Sequence, residues 1–320
     1  MANGGIIGPV NDPTTGDVYT PFTSPGTFTA KKTQNVGLLV VAGGGGGGHR
    51  TQWNGSGGGA GGFRLFPAHP VTAGQPVSVT IGAGGTGQNL NGQPYTISQG
   101  DDTSFGPISA TGGGSGVGSG LEGDATNFPN TNVLDGGAGG GVGSFSNNPY
   151  MGNGNVGGYS PPEGSNGGLS NGPTSPGGGG GFTNQGGFGN PSSAGPGGDG
   201  TNATPVFGSA PQPYYGPTSG VYSGGGGGGK RPDQGPAGSG GPGGGGDGGA
   251  GNPSGPGQPG VDGSGGGGGG AGEQGAVGAQ AGNGGDGVVL VKELDVVTGA
   301  PGVWTLKEQF SYKKQDSWTA

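Results

Sequence analysis

The first candidates for a chemical role in this chain are glycine motifs of the kind that bind phosphate in other folds. The segment GGGGGGK at residues 224–230 approaches a phosphate-binding loop, in which backbone N–H groups and a lysine hold the phosphates. Arg231 and Pro232 follow, where such a loop needs a serine or threonine for magnesium. The GxGxxG matches lie outside any strand–turn–helix unit. We therefore predict no nucleotide site and no cofactor.

Ionisable side chains are equally sparse. His49 and His69 are the two histidines, and no serine in a strand-to-helix elbow accompanies them. The scattered aspartates lack the spacing of calcium-binding repeats. The chain has no cysteine, which excludes disulfides and thiolate metal sites. We predict no catalytic residue, no metal site and no enzymatic activity; a glycan depolymerase is the weaker alternative, because it needs paired carboxylates in a cleft.

Aromatic side chains in the glycine-rich half are the remaining candidates for a binding site. Tyrosines among Ser, Gly and Asn combine rigid contact area with adaptable hydrogen bonding, as many binding loops do. The same rings could instead stack on glycine segments as a local core, and both interpretations stay open. The candidate receptor-binding residues are Phe145, Tyr150, Tyr159, Phe188, Tyr214, Tyr215 and Tyr222.

The composition limits which elements can position these residues. The 320 residues include 98 glycines and 28 prolines, only 26% are hydrophobic and 9% are charged. Glycine inside a helix costs about 1 kcal/mol relative to alanine, so most of the chain cannot be helical. The apolar content is too low for a conventional helical or doubly wound enzyme. A net charge of −8 argues against nucleic acid as a partner.

Three structures suit a chain of nearly one-third glycine. Collagen needs glycine at every third residue, and the best stretch loses that frame at Asn252. Disorder accompanies high net charge and many Lys, Glu and Gln, which are sparse here. Packed polyglycine II is the third: an extended helix whose outward N–H and C=O groups pair with neighbouring helices. We predict this structure for the hexaglycine runs 43–48, 224–229 and 265–270, with single Ala, Ser or Asp interruptions at the surface.

Apolar patterns at both ends of the glycine-rich part predict strands. Residues 36–42 form a continuous apolar run of strand length, and Val77, Val79 and Ile81 alternate. Residues 288–293 predict a strand that returns to the N-terminal sheet. The predicted fold is all-β plus polyglycine II. Its parts are an N-terminal extension (1–25), a β base (26–112), a polyglycine II bundle with decorated loops (113–285), a closing strand (286–301) and a C-terminal tail (302–320).

The tail differs in kind from the rest. Thr305 and Glu308 have the spacing of a capping box, which predicts one short helix. Two tryptophans and a phenylalanine exceed what a solvated end needs, so we expect an assembly contact through Trp304, Phe310 and Trp318; a solvated end is the alternative.

Several segments resemble the glycine-rich domain of bacteriophage tail fibre and adhesin proteins. These are LLVVAGGGGGG at 38–48, VTAGQPVSVTIGAGGTG at 71–87, SFGPISATGGGSG at 104–116 and GGDGVVLV at 284–291. They occur in the family's order, and the resemblance covers about residues 26–293. The tail resembles C-terminal tails of marine phage fibre proteins, some from phages of cyanobacteria, and departs from the family's module.

The resemblance implies a β-sandwich-like base, a layered polyglycine II bundle and host recognition by loops at its tips. The expected partners are a bacterial surface polysaccharide or outer-membrane protein, other virion fibre proteins and further copies of this chain in a homo-oligomer. We expect no nucleic acid and no membrane insertion, since no apolar run reaches 18 residues. The start lacks signal-peptide features, so the expected location is the virion, extracellular after lysis. A purely structural fibre, decoration or filament subunit without a receptor is the alternative.

Overall fold

The computed structural model describes residues 14–49, 54–88, 98–118, 131–143, 151–172, 174–250, 254–273 and 280–299, together with Lys314. Strands predominate and helices are few and short, so the all-β prediction is confirmed at that level. The strands are β1 Thr14–Phe22, β2 Gly26–Thr29, β3 Gln34–Val41, β4 Phe63–Val71, β5 Pro76–Thr80, β6 Thr103–Phe105, β7 Ile108–Ala110, β8 Thr201–Asn202, β9 Val221–Tyr222, β10 Ser254–Gly255, β11 Gly272–Glu273 and β12 Val288–Gly299. The helices are α1 Thr204–Phe207 and the 3₁₀ helices Thr131–Leu134, Pro213–Thr218 and Pro232–Gln234.

Two four-stranded antiparallel sheets form what we call the sheet base. Their strand orders are β1-β12-β3-β4 and β2-β5-β6-β7. The closing strand β12 pairs with β3, with Leu290 opposite Leu39, so the predicted return of this strand to the N-terminal sheet is found. Buried side chains from both sheets meet in one apolar core, which includes Leu38, Phe105 and Val291. This region is held by apolar burial.

The N-terminal boundary of the sheet base differs from the prediction. Residues 14–22, which the sequence places in an extension, form β1 and pair with β12 along its length. Alternation is weak there because Gly16, Asp17 and Pro21 interrupt it. The prediction was wrong for these residues because β12 supplies their backbone hydrogen-bond partners, and the local sequence carries no sign of that pairing.

The second region is a body of extended glycine-rich segments joined by backbone hydrogen bonds, here called the glycine body. In the run 43–48, donors three residues apart reach the same neighbour. Positions 43 and 46 donate to segment 98–101, positions 44 and 47 to segment 282–285, and positions 45 and 48 to segment 56–59. The N···O distances are 2.8–3.1 Å. One run is therefore bonded to three others around its axis.

The run 224–229 repeats this arrangement, and the run 265–270 repeats it in part. Positions 224 and 227 donate to segment 243–246, positions 225 and 228 to segment 195–198, and positions 226 and 229 to segment 55–58. The run 265–270 joins the other two, because positions 267 and 270 donate to residues 224 and 227 while position 268 donates to Gly45. The runs thus form a connected network of peptide groups.

Glycine is required in this network because neighbouring backbones lie where a side chain would begin. A Cβ atom built on Gly44 would lie 2.1 Å from the carbonyl oxygen of Gly266, and one on Gly226 would lie 2.1 Å from that of Gly268. The predicted surface position of single interruptions holds for aspartates such as Asp247, which is exposed, and is wrong for several Ala and Ser residues. Ala60, Ala138 and Ser56 are fully buried, so the packing leaves local space for a single methyl or hydroxyl group.

The two regions interleave along the chain. The run 43–48 follows β3 and the run 55–62 precedes β4, yet both runs lie inside the glycine body. The predicted boundary at residue 113 was therefore wrong. Polyglycine pairing is non-local, so a run belongs to the region that surrounds it in space rather than to its neighbours in sequence.

Candidate functional site

Aromatic side chains cover the face of the β1-β12-β3-β4 sheet that is turned away from the shared core. Phe207 at the end of α1, Tyr215 in the helix Pro213–Thr218 and Tyr222 in β9 are buried there against Leu39 and Leu290. Proline at the first turn of both short helices fixes how these segments begin. These rings cover the outer apolar face of this sheet.

Tyrosine hydroxyls in this aromatic layer find backbone partners. Tyr214 donates to the carbonyl of Phe207 at 2.5 Å, Tyr215 donates to that of Gly208, and Tyr222 donates to that of Tyr215 at 3.2 Å. Tyr214 also stacks on Tyr19, with ring centroids 4.2 Å apart. Burial raises the pKa of Tyr214, and the neighbouring Tyr19 raises it further; burial likewise raises the pKa values of Tyr215 and Tyr222. These hydroxyls stay neutral and act as hydrogen-bond donors.

The receptor-binding prediction needs correction for two of these tyrosines. Tyr215 and Tyr222 are each 1% exposed, so neither can offer contact area to a partner. The reason is that the rings fill the apolar face of β3 and β12. Tyr214 is half-buried against Tyr19 and keeps only part of its surface. The alternative prediction, that these rings form a local core, is therefore found for Tyr215 and Tyr222.

Phe188 is placed quite differently. Its side chain is 57% exposed, and the glycines on either side are fixed. The N–H of Gly187 donates to the carbonyl of Pro196 at 2.7 Å, and that of Gly189 donates to Leu169 at 3.0 Å. An apolar ring is thus presented to solvent from a position that backbone hydrogen bonds hold in the glycine body.

Tyr159 is half-buried in a loop organised by Asn155. The Asn155 side chain donates to the carbonyl of Tyr159 at 3.1 Å and accepts the N–H groups of Tyr159 and Glu163 at 3.1 and 3.2 Å. The ring of Tyr159 lies under the guanidinium of Arg64, 3.8 Å from its carbon to the ring centroid. The remaining predicted site residues, Phe145, Tyr150, Trp304, Phe310 and Trp318, lie outside the described residues.

A cleft of about 260 Å³ opens beside Arg64, along the outer edge of β4. Its walls are mostly rings, those of Phe66, Pro161, Pro162 and Phe182, and Asn202 also lines it. The Arg64 guanidinium also lies 5.1 Å from the Phe66 ring and donates to the carbonyl of Ser109 at 2.7 Å. Sequence reasoning missed this cleft, although a single cation in the alternating segment FRLF was the available signal.

Glu163 is fully buried behind this loop. Its Oε2 accepts the N–H of Thr111 at 3.0 Å, and its backbone carbonyl accepts the N–H of Phe63 at 2.9 Å. Burial raises the pKa of the Glu163 carboxyl group, against smaller opposing effects of the Thr111 hydrogen bonds and of Arg64. Glu163 therefore ties the loop of Tyr159 to both β4 and the end of β7.

The motifs resembling phosphate and metal sites serve other roles. Lys230 is buried, and its Nζ donates to the carbonyls of Asn190 and Pro191 at 2.9 and 3.3 Å. Burial lowers the pKa of this lysine. His69 lies between the rings of Phe66 and Phe105, and burial lowers its pKa. Over the described ranges, no group of three or more His, Asp or Glu side chains could hold a metal ion.

Within the part of the chain that the structure describes, no helix has the length and apolar character needed to cross a membrane. No curated protein matches the chain significantly. The family model described as a glycine-rich domain matches residues 23–293, which cover the glycine body and the sheet base apart from β1 and the end of β12. The extent of that match, over most of the sequence, means that this chain belongs to the glycine-rich domain family.

Proposed function

We propose that this protein is a phage virion fibre protein, a tail fibre or adhesin, that contacts the bacterial host surface through loops on a polyglycine scaffold. The observation that carries the proposal is Phe188, an exposed ring between two glycines whose N–H groups are bonded into the glycine body. A contact residue fixed in this way loses little conformational freedom on binding. The protein would act by adhesion, without catalysis, as part of an extracellular virion.

The scaffold in this proposal is a bundle of polyglycine II helices on a β-sandwich-like base. Two observations support it: the three-residue repeat of hydrogen-bond donors in the hexaglycine runs, and an apolar core shared by two four-stranded sheets. Polyproline II-type helices have three residues per turn, so every third donor points in the same direction. The predicted partners are a surface polysaccharide or outer-membrane protein. Many copies on one particle would convert weak contacts into firm attachment.

A cell-adsorption assay tests the proposal. Fluorescently labelled protein is mixed with a panel of bacterial strains, and bound protein is measured for the wild type, Phe188→Ala and the matched control Leu294→Ala, whose side chain is 40% exposed in the sheet base. We expect adsorption to at least one strain, a clear loss with Phe188→Ala and none with the control. Equal adsorption of all three proteins would exclude Phe188 as a contact, and adsorption to no strain would contradict the proposed function.

The second candidate is a purely structural subunit of a fibre, decoration or filament. The burial of Tyr215 and Tyr222 favours it, because two of the predicted contact rings are used to close the sheet base. Regular filaments formed by the purified protein, without adsorption to any strain, would support this function over adhesion.

A further inference from the structure

The cleft beside Arg64 combines a positive charge with apolar walls. Rings of Phe66, Pro161, Pro162 and Phe182 line it, and Asn202 supplies a polar group. Its volume of about 260 Å³ is below the ~300–1,000 Å³ of pockets for drug-sized ligands. The occupant must therefore be small, must present a flat apolar face, and must complement a cation.

Among the described residues, no acidic side chain neutralises the charge of Arg64 at short range. Arg64 forms no ion pair with any described residue, although Arg231 and Lys292 both do so with aspartates. The acid that acts on it electrostatically is Glu163, whose burial favours the neutral form of the carboxyl group. A guanidinium has five N–H donors, and within the described part of the chain Arg64 has one protein acceptor, the carbonyl of Ser109.

The guanidinium is also held in place. It lies 3.8 Å from the centroid of Tyr159 and 5.1 Å from that of Phe66, so two rings restrict its movement. Tyr159 is itself fixed by the Asn155 side chain through hydrogen bonds of 3.1 Å. A preorganised guanidinium is suited to bind a carboxylate through two parallel hydrogen bonds.

We propose that this cleft binds one acidic sugar unit, a hexuronate, of a bacterial surface polysaccharide. Its carboxylate binds the Arg64 guanidinium, the apolar face of its ring packs on the walls formed by Phe66 and Pro162, and a hydroxyl group bonds Asn202. This inference rests on the proposed function, since it names the ligand class of a host-contacting protein. It assigns that ligand to the edge of β4 rather than to the loop of Phe188.

Isothermal titration calorimetry with tetragalacturonate and tetraglucuronate tests the inference, with their fully methyl-esterified forms as neutral probes. We expect at least one acidic tetramer to bind the wild type about tenfold more tightly than its ester, because hydrogen bonds to charged groups are the stronger ones. Arg64→Gln should abolish this preference, and Arg64→Lys should retain part of it. Arg231→Gln is the matched control, since Arg231 already pairs with Asp233 at 3.2 Å, and it should bind as the wild type does.

A second variant guards against loss of folding in Arg64→Gln. Pro205 is exposed at the cleft wall, so Pro205→Trp should fill the cleft while leaving the charge in place, and should also prevent binding. Equal binding of acid and ester by the wild type, or full binding by Pro205→Trp, would overturn the inference. Adsorption of the wild type to cells without binding of either tetramer would overturn the inference about the cleft and leave the proposed function standing. Binding of a tetramer at Arg64 without adsorption to any strain would uphold the cleft and contradict the proposed function.

Discussion

The sheet base and the glycine body solve the problem of backbone burial in opposite ways. In the sheet base, Leu38 and Leu290 are buried between or against sheets, and strands pair through ordinary ladders. In the glycine body, most positions lack a side chain, and the runs bond to neighbouring segments on several sides. The first region needs apolar volume and is damaged when volume is removed. The second needs empty space at Cα and is damaged when volume is added.

The largest effect should come from adding volume to the glycine body. Gly268→Val should destabilise the protein by more than about 4 kcal/mol, within the range seen only for severe core defects. A Cβ at this position would lie 2.1 Å from the carbonyl oxygen of Gly282, and backbone cannot rotate away as a side chain can. Thermal or urea unfolding measures the change. Gly16→Val is the matched control, since nothing lies within 4 Å of its Cβ position. If Gly268→Val unfolds at the same temperature as Gly16→Val, the glycine body is not closely packed.

Removing volume from the sheet base should have a similar but smaller effect. Leu38→Ala should destabilise the protein by about 3 kcal/mol, because Leu38 is fully buried in the apolar core. Large-to-small changes in cores cost about 2–5 kcal/mol. Leu294→Ala, at a side chain 40% exposed, should change the free energy of unfolding by less than about 1 kcal/mol. Equal costs for the two leucines would mean that the sheet base has no apolar core of this kind.

A polar side chain inside the glycine body tests whether the body depends on hydrogen bonds. Ser56→Ala should cost about 1–3 kcal/mol. The Ser56 hydroxyl donates to the carbonyl of Gly141 at 2.7 Å and accepts the N–H of Val117 at 2.8 Å, so its loss leaves a buried donor without a partner. Unfolding measurements check this. If Ser56→Ala matches the wild type, hydrogen bonding by this buried hydroxyl contributes nothing to the body.

The junction of the two regions should show the smallest effect, as a change in pH dependence. Burial raises the folded-state pKa of Glu163 above its unfolded value, so folding takes up a proton between those two pKa values. The stability present at low pH is therefore lost as pH rises through that window. Glu163→Gln should remove this loss and stabilise the protein above the window. Unfolding curves across pH test it, and an unchanged pH profile in the variant would contradict the buried carboxyl group as its source.

Local patterns predicted the parts of the fold that local physics decides. The apolar run 36–42 and the alternation around Val79 lead directly to β3 and β5. The edge strand β1 could not be found in this way, because its backbone groups pair with those of β12, 267 to 285 residues later in the chain. The interleaving of the runs was hidden for the same reason: every hexaglycine looks alike in sequence, and its neighbours in space are distant in the chain.

The candidate site shows the same limit. Tyr215, Tyr222 and Phe188 stand in similar glycine- and proline-containing segments, yet two are buried and one is exposed. Without a helical or alternating pattern, the sequence does not tell which side of a segment faces a sheet. Arg64 was visible as a lone cation in an apolar strand, but its aromatic neighbour Tyr159 comes from a separate loop.

Hydrogen–deuterium exchange followed by mass spectrometry most directly tests whether peptide groups hold the glycine body together. We expect the amides of the runs 43–48, 224–229 and 265–270 to exchange as slowly as those of β3, since both sets are buried and hydrogen-bonded. Exchange of the glycine runs at the rate of an unstructured peptide, while β3 stays protected, would contradict this expectation.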